Sequence, residues 1–246
     1  MALEVKWVGF DFGQCMMNPT GLRNHLVIAD VSKELGQPEL IEERIQKYRI
    51  MKEKYGTYSA VKEGHRDEIM EYVFDGDEEA KELFSAKEQE HLSMGPGLPE
   101  ALAYLQDTGI HIAVVAELKK TLGAMNKDIV TRFLEKKGLT HYFEELVSPQ
   151  GRVDFKDGSI NLAYKGKTKE AGTIYDELCG DLAKRGIKPE ECAMVGDKLG
   201  TDIIPAKKRG INTVQYTGYI DMGVVEEADY RIESFLELKD LLRKKV

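Results

Sequence analysis

The spacing of apolar residues changes character along this chain. Glu4 to Asp11 reads Glu-Val-Lys-Trp-Val-Gly-Phe-Asp, alternating at first and then apolar, which predicts a strand that ends on an acid. From Gly21 to about Gln89 charges become dense, and Ile41, Ile45, Tyr48 and Met51 recur at helical spacing. This block predicts several short helices broken near Gly56, Gly64 and Gly76. From Gly95 onward strand and helix patterns alternate. Gly95-Pro96-Gly97 is a turn, 99–107 a helix stopped at Gly109, and 111–115 a strand. A long helix is expected to follow, running to about Lys137 and stopped by Gly138. Further strands are expected at 145–148, 193–195, 213–216 and 230–232, with helices over 171–184 and 202–209. Asp157-Gly158 between two β-prone runs predicts a small hairpin within 151–164. Strands alternating with helices need crossover connections, so the expected class is α/β, a mostly parallel sheet covered on both faces.

Composition narrows the function. With 246 residues and 42% apolar side chains the chain can build a sizeable core. No apolar run approaches the roughly 20 residues that span a bilayer, and an export signal is not expected at the amino end. Cys15, Cys179 and Cys192 are odd in number and far apart, which fits neither a disulfide framework nor a zinc site and points to a reducing, cytoplasmic setting. Five histidines (His25, His65, His91, His111, His141) show no metal-ligand spacing. The 35 basic and 43 acidic side chains leave a net charge of −8, so nucleic acid is not an expected partner, nor is a membrane.

Carboxylates then draw attention. Asp11 ends the first strand, where α/β sheets bind ligands. Ala193-Met194-Val195 runs into Gly196-Asp197-Lys198-Leu199-Gly200-Thr201-Asp202, which places Asp197 in a strand-end loop and Asp202 near the next helix start. Three such acids at neighbouring strand ends repel one another unless a cation holds them, and a hard divalent ion, typically magnesium, suits oxygen ligands. Taken singly, each Asp is more often a helix cap or a turn residue; the joint placement carries the signal.

These residues resemble the motifs of the haloacid dehalogenase superfamily. Val8-Gly9-Phe10-Asp11 matches its first motif, and Gly196-Asp197 with Asp202 five residues on matches its last. Pro96 to Leu102 and the strand to Val115 look like the approach to the second motif. Lys169 is the best match to the third, with Lys165 and Lys167 as alternatives. The resemblance implies a Rossmann-like three-layer core (1–18 and 92–246) and an α-helical cap (19–91) inserted after the first strand, with the 151–164 hairpin at a second insertion point. It further implies Asp11 as nucleophile, forming an aspartyl-phosphate that water hydrolyses. The magnesium site would comprise Asp11, Asp197, the main-chain carbonyl of Gly13 and Asp202, the last orienting Asp197 or a metal-bound water, with Lys169 offsetting charge on the nucleophile and the transferring group. The substrate would be a small anionic metabolite.

Several positions depart from the family pattern. Phosphatases of this family carry a general-acid Asp two residues after the nucleophile, where this chain has Gly13. Gln14 and Cys15 follow in place of Gly and Thr, and the second motif ends in Ala116-Glu117 instead of a hydroxyl residue. A missing acid costs about 10²–10⁴ in rate for a poor leaving group, so an atypical leaving group is expected: acyl, aryl or phosphonate. A Schiff-base route through cap lysines Lys52 or Lys54 is one variant. In another, Glu117 or Gln14 takes over proton or orientation work and, with Ala116 and Lys169, lines the substrate. The alternative is a catalytically silent homologue that binds a protein partner or ligand. Dehalogenation fits poorly, because those members lack the Gly-Asp pair kept here. Cys15 lies close enough to Asp11 to be a target for alkylation.

Overall fold

Trp7 to Phe10 is buried at every position, as a strand with helices on both faces must be. In the computed structural model, residues 2–18, 24–55, 65–117 and 128–245 are described. They form two units, Met1–Pro19 with Met94–Val246 and, between them, Thr20–Ser93. The strands in chain order are β1 (Leu3–Val5), β2 (Trp7–Phe10), β3 (Met17–Asn18), β4 (Ser93–Met94), β5 (His111–Val115) and β6 (Glu145–Ser148). They continue with β7 (Gly151–Asp154), β8 (Ile160–Asn161), β9 (Cys192–Gly196), β10 (Asn212–Tyr216), β11 (Tyr230–Ile232) and β12 (Leu242–Lys244).

The main sheet has the order β11-β10-β9-β2-β5-β6-β7-β8. From β11 to β6 every pairing is parallel, and β7 and β8 add an antiparallel edge. The Rossmann-like α/β class is therefore observed. Val115, Val147, Ile174, Tyr175, Leu178 and Met194 belong to one buried cluster, which seats the helix Thr173–Lys184 on the sheet. Asp157-Gly158 does lie between paired strands, with Gly158 at φ +72.

Three expectations need correction. The first strand is not continuous: Leu3–Val5 pairs with β12, and the main-sheet strand starts only at Trp7. At the break, Lys6 donates its N–H to Glu191 and its carbonyl accepts from His111, so the backbone changes partners there. No alternation signal marked Leu242–Lys244 as the partner, because two of its three side chains are exposed. The long helix after β5 is also shorter than expected. Its described part is Ile129–Lys136, and Asp128 is extended and caps it, accepting the Thr131 N–H at 2.9 Å. Residues 118–127 of that expectation lie outside the described residues. Finally, the helix expected over 202–209 begins as a wide π-helical turn, Leu199–Ile203, followed by an α-helical Ile204–Lys207. Pro205 has no N–H to give the carbonyl four residues back, Thr201, and the Tyr175 hydroxyl takes that carbonyl instead at 2.8 Å.

The unit Thr20–Ser93 holds helices Asn24–Glu34, Ile41–Tyr55, Arg66–Val73 and Glu78–His91 around its own core of Val27, Ile28, Tyr48, Ile69 and Phe84. The break at Gly76 is present, with φ +77, whereas those near Gly56 and Gly64 lie outside the described residues. Among the described residues no helix is long and apolar enough to cross a membrane.

Candidate active site

Adjacent strands β9, β2 and β5 end side by side, and each hands over to a residue singled out in the sequence. Asp11 follows β2 and its N–H donates to the Val195 carbonyl at 2.8 Å. Ala116 follows β5 and donates to Val147 at 2.9 Å, while Asp197 follows β9. Strand β2 has β5 on one side and β9 on the other, so this rim is the switch point where open α/β sheets bind ligands.

Asp11, Asp197 and Asp202 converge there, with one carboxylate oxygen of each lying within 4.8 Å of the others. They are 7%, 1% and 0% exposed. Gly196 permits this approach: a β-carbon at that position would sit 2.4 Å from the Asp202 Cβ. Lys169, 1% exposed, threads between the acids. Its Nζ donates to Asp11 Oδ1, to Asp202 Oδ1 at 2.5 Å and to the Val115 carbonyl at 3.1 Å, which uses all three ammonium protons. The other Asp202 oxygen accepts the Lys198 N–H at 2.9 Å. By contrast Lys167 pairs with Glu177 at 3.3 Å and Lys165 is exposed.

Fully ionised, three carboxylates against one ammonium would leave the cluster two charges negative. Both Asp197 oxygens are buried and accept no hydrogen bond, a state that costs several kcal/mol for an ionised group. Burial, with the Asp11 and Asp202 charges added, pushes Asp197 up to about 8. Burial and the Asp202 charge likewise raise Asp11 to about 6, against the pull of Lys169. Burial opposes the Lys169 ammonium, but Asp11 and Asp202 outweigh it and hold that group well above its ordinary value. An all-oxygen set with a bare, buried carboxylate fits a hard divalent cation.

The departing positions are equally informative. Gly13 keeps an ordinary backbone, and a β-carbon there would meet nothing within 4 Å. Gln14 stands at φ +66, in the left-handed region. Cys15 is fully buried, its Sγ 3.7 Å from the Val195 carbonyl, and burial with Asp11, Asp197 and Asp202 pushes its thiol well up. That environment opposes the alkylation expected of it. Ala116 brings no side-chain donor to the rim, and Glu117 Oε1 accepts the backbone N–H of Lys169 at 2.5 Å. This contact and that of Tyr175 with Thr201 were not anticipated. The second had a readable signal, a proline four residues after Thr201, whereas nothing local foretells the first.

In the helical unit, Lys54 pairs with Glu68 at 3.1 Å, His65 stacks on Tyr55 with ring centroids 3.8 Å apart, and Arg66 binds Glu88 at 2.8 Å. These side chains are thus engaged within their own unit.

Comparison with known proteins agrees with the fold. The chain is 28% identical over 162 residues to the ribulose-1,5-bisphosphate 5-phosphatase of Halopiger xanaduensis, an alignment covering 62% of this chain and 58% of that protein. It is 42% identical over 64 residues to the glyceraldehyde 3-phosphate phosphatase of Methanocaldococcus jannaschii, covering 25% of this chain and 28% of the relative. The matches therefore span less than two thirds of either relative. Among solved structures, an HAD phosphatase from Thermococcus onnurineus superposes with a TM-score of 0.57 at 22% identity, covering 96% of this chain and 97% of the other. The profile described as "Hydrolase: haloacid dehalogenase-like hydrolase" matches residues 17–210, a span that holds Lys169, Asp197 and Asp202 and starts just after the Asp11 loop. On that match and that architecture, the chain belongs to the haloacid dehalogenase-like hydrolase family.

Proposed function

We propose that this protein is a magnesium-dependent hydrolase of a small phosphorylated or phosphonate metabolite, working through Asp11. The observation that carries the reading is the bare, buried carboxylate of Asp197 beside Asp11 and Lys169, a cluster short of positive charge. Lys169 holds Asp11 Oδ1, which fixes the rotation of the carboxylate and leaves its second oxygen for attack on phosphorus. The Asp11–phosphorus bond forms as the bond to the leaving group breaks, and water then cleaves the aspartyl-phosphate. Magnesium, held by Asp11, Asp197 and the Gly13 carbonyl, would supply the positive charge that lets two anions meet. Asp202 keeps Lys169 in place through its own ion pair. We assign the helical unit, 20–93, as the cap that selects the substrate.

Gly13 has no proton to give, and the near Glu117 oxygen already accepts a backbone N–H. The reading therefore favours leaving groups that depart unprotonated, such as carboxylates, phenolates or an activated carbon. The relatives' names denote sugar-phosphate ester hydrolases, so those esters belong in the same test. A Schiff-base route through Lys54 fits badly: Tyr55 and Glu68 hold its amine above the ordinary value, whereas carbonyl attack needs it neutral.

A screen of acyl phosphates, aryl phosphates, phosphonates and sugar phosphates with magnesium tests the proposal. Turnover of at least one class is expected, lost by more than 10³-fold in Asp11→Asn. Turnover unchanged in that variant would remove Asp11 as nucleophile. The second reading, a silent binding subunit, rests on the joint loss of polar side chains at Gly13 and Ala116, and predicts magnesium binding without turnover of any class.

A further inference from the structure

We propose that Glu117 is a positioning residue that fixes Lys169 from its backbone end, and not a replacement acid. The proposal deepens the reading of the Asp11 site and rests on it for its kinetic arm alone. The end of β5 grips Lys169 twice. The Val115 carbonyl accepts from Nζ at 3.1 Å, and two residues later Glu117 Oε1 accepts from the main-chain N–H at 2.5 Å. A lysine ammonium rides on a flexible four-carbon stem, so its position is only as well defined as its Cα. With Glu117 holding the N–H, the stem spans between two fixed ends, and the ammonium stays bridged across Asp11 and Asp202.

The downstream side of the same segment is tied separately. Lys169 gives its carbonyl to the Gly172 N–H at 2.9 Å, and the Thr168 N–H reaches Thr173 Oγ1 at 2.9 Å. Toward β5 the main-chain tie is the Glu117 carboxylate, in a strand end where Ala116 has no polar side chain to offer. An oxygen that accepts from an amide presents a lone pair and no proton in that direction. The structure thus spends Glu117 on geometry, and the proton-donor position next to Asp11 stays empty at Gly13.

The test uses the full chain with magnesium and the variants Glu117→Ala and Glu117→Gln, the second of which keeps an oxygen acceptor. Amide exchange at Lys169 is expected to accelerate about 10-fold or more in Glu117→Ala and to return to within about 3-fold of the parent in Glu117→Gln. On a substrate that turns over, kcat is expected to fall about 10-fold in Glu117→Ala with KM within twofold, and Glu117→Gln to recover most of it. Unchanged exchange in Glu117→Ala would overturn the proposal, as would accelerated exchange with unaltered kcat. Equal loss of kcat in both variants, with disappearance of the protonated limb from the pH–rate profile, would instead make Glu117 the acid. If the parent protein turns over no substrate, the proposed activity fails. The exchange arm and the thermal shift given by magnesium with fluoroberyllate, a phosphoryl mimic that needs no leaving group, then decide the positioning role. Equal shifts in parent and Glu117→Ala overturn it.

Discussion

Gln14 occupies a backbone conformation, φ +66, that costs an L-residue roughly 1–2 kcal/mol and a glycine nothing. Glycine loses more entropy on folding, about 0.5–1 kcal/mol, so the net gain from Gln14→Gly is smaller than the strain alone. That variant is expected to be more stable by about 0.5–1 kcal/mol in urea titrations. Asp197 gives a larger and pH-dependent effect. Its folded pKa, about 8, lies above the ordinary 3.8, so the native state keeps a proton the unfolded chain has lost. The Asp197 contribution to the stability of the magnesium-free protein therefore falls as pH rises from about 4 to about 8, by at most about 1.4 kcal/mol per unit, and is level above that. Asp197→Asn removes this contribution and leaves the smaller one of Asp11, which ends near pH 6. Magnesium-free, the variant should melt above the parent at pH 8, and magnesium should no longer raise its melting temperature. A parent no less stable at pH 8 than at pH 5 would refute the assignment. For the cysteines, iodoacetamide on the native protein is expected to modify the partly exposed Cys179 before the buried Cys15.

At the scale of elements, Pro205, Tyr175 and the π-helical turn form one device that sets Asp202 against Gly196. Tyr175→Phe leaves the Thr201 carbonyl without its donor and should cost about 1–3 kcal/mol in denaturant unfolding, with weaker magnesium binding as Asp202 shifts. This device also shows where the sequence became hard to read. Strand ends were legible, because an apolar run followed by Gly-Asp or by a lone Asp marks both the strand and its rim: Asp11 and Asp197 sit there. The hairpin was legible from Asp157-Gly158. Regular periodicity, however, says nothing of a carbonyl orphaned by proline and rescued by a hydroxyl 26 residues earlier. Nor could it distinguish Lys169 from Lys165 and Lys167, since an alternating lysine run looks solvated until tertiary packing buries one member. Leu3–Val5 and Leu242–Lys244 escaped for a related reason: their pairing joins distant short segments, each with too few residues to show a period.

For the molecule as a whole, the candidate metal ligands found among the described residues lie in the unit made of 1–19 and 94–246, while 20–93 has its own hydrophobic core. Calorimetry is expected to resolve two transitions, and magnesium should raise one and leave the other in place. Truncated peptide maps by hydrogen exchange can assign each transition to its unit. A single transition that moves as one with magnesium would show the two cores to be thermodynamically coupled. The open space at Gly13 bears on the protein's history more than on its stability. Some glycine codons lie one base from aspartate, and no neighbour has to move to admit a β-carbon at this position. On the proposed function, lack of room for a β-carbon is not what keeps an acid from this position. A mutagenised library forced to live on an alkyl phosphate should find Gly13→Asp early.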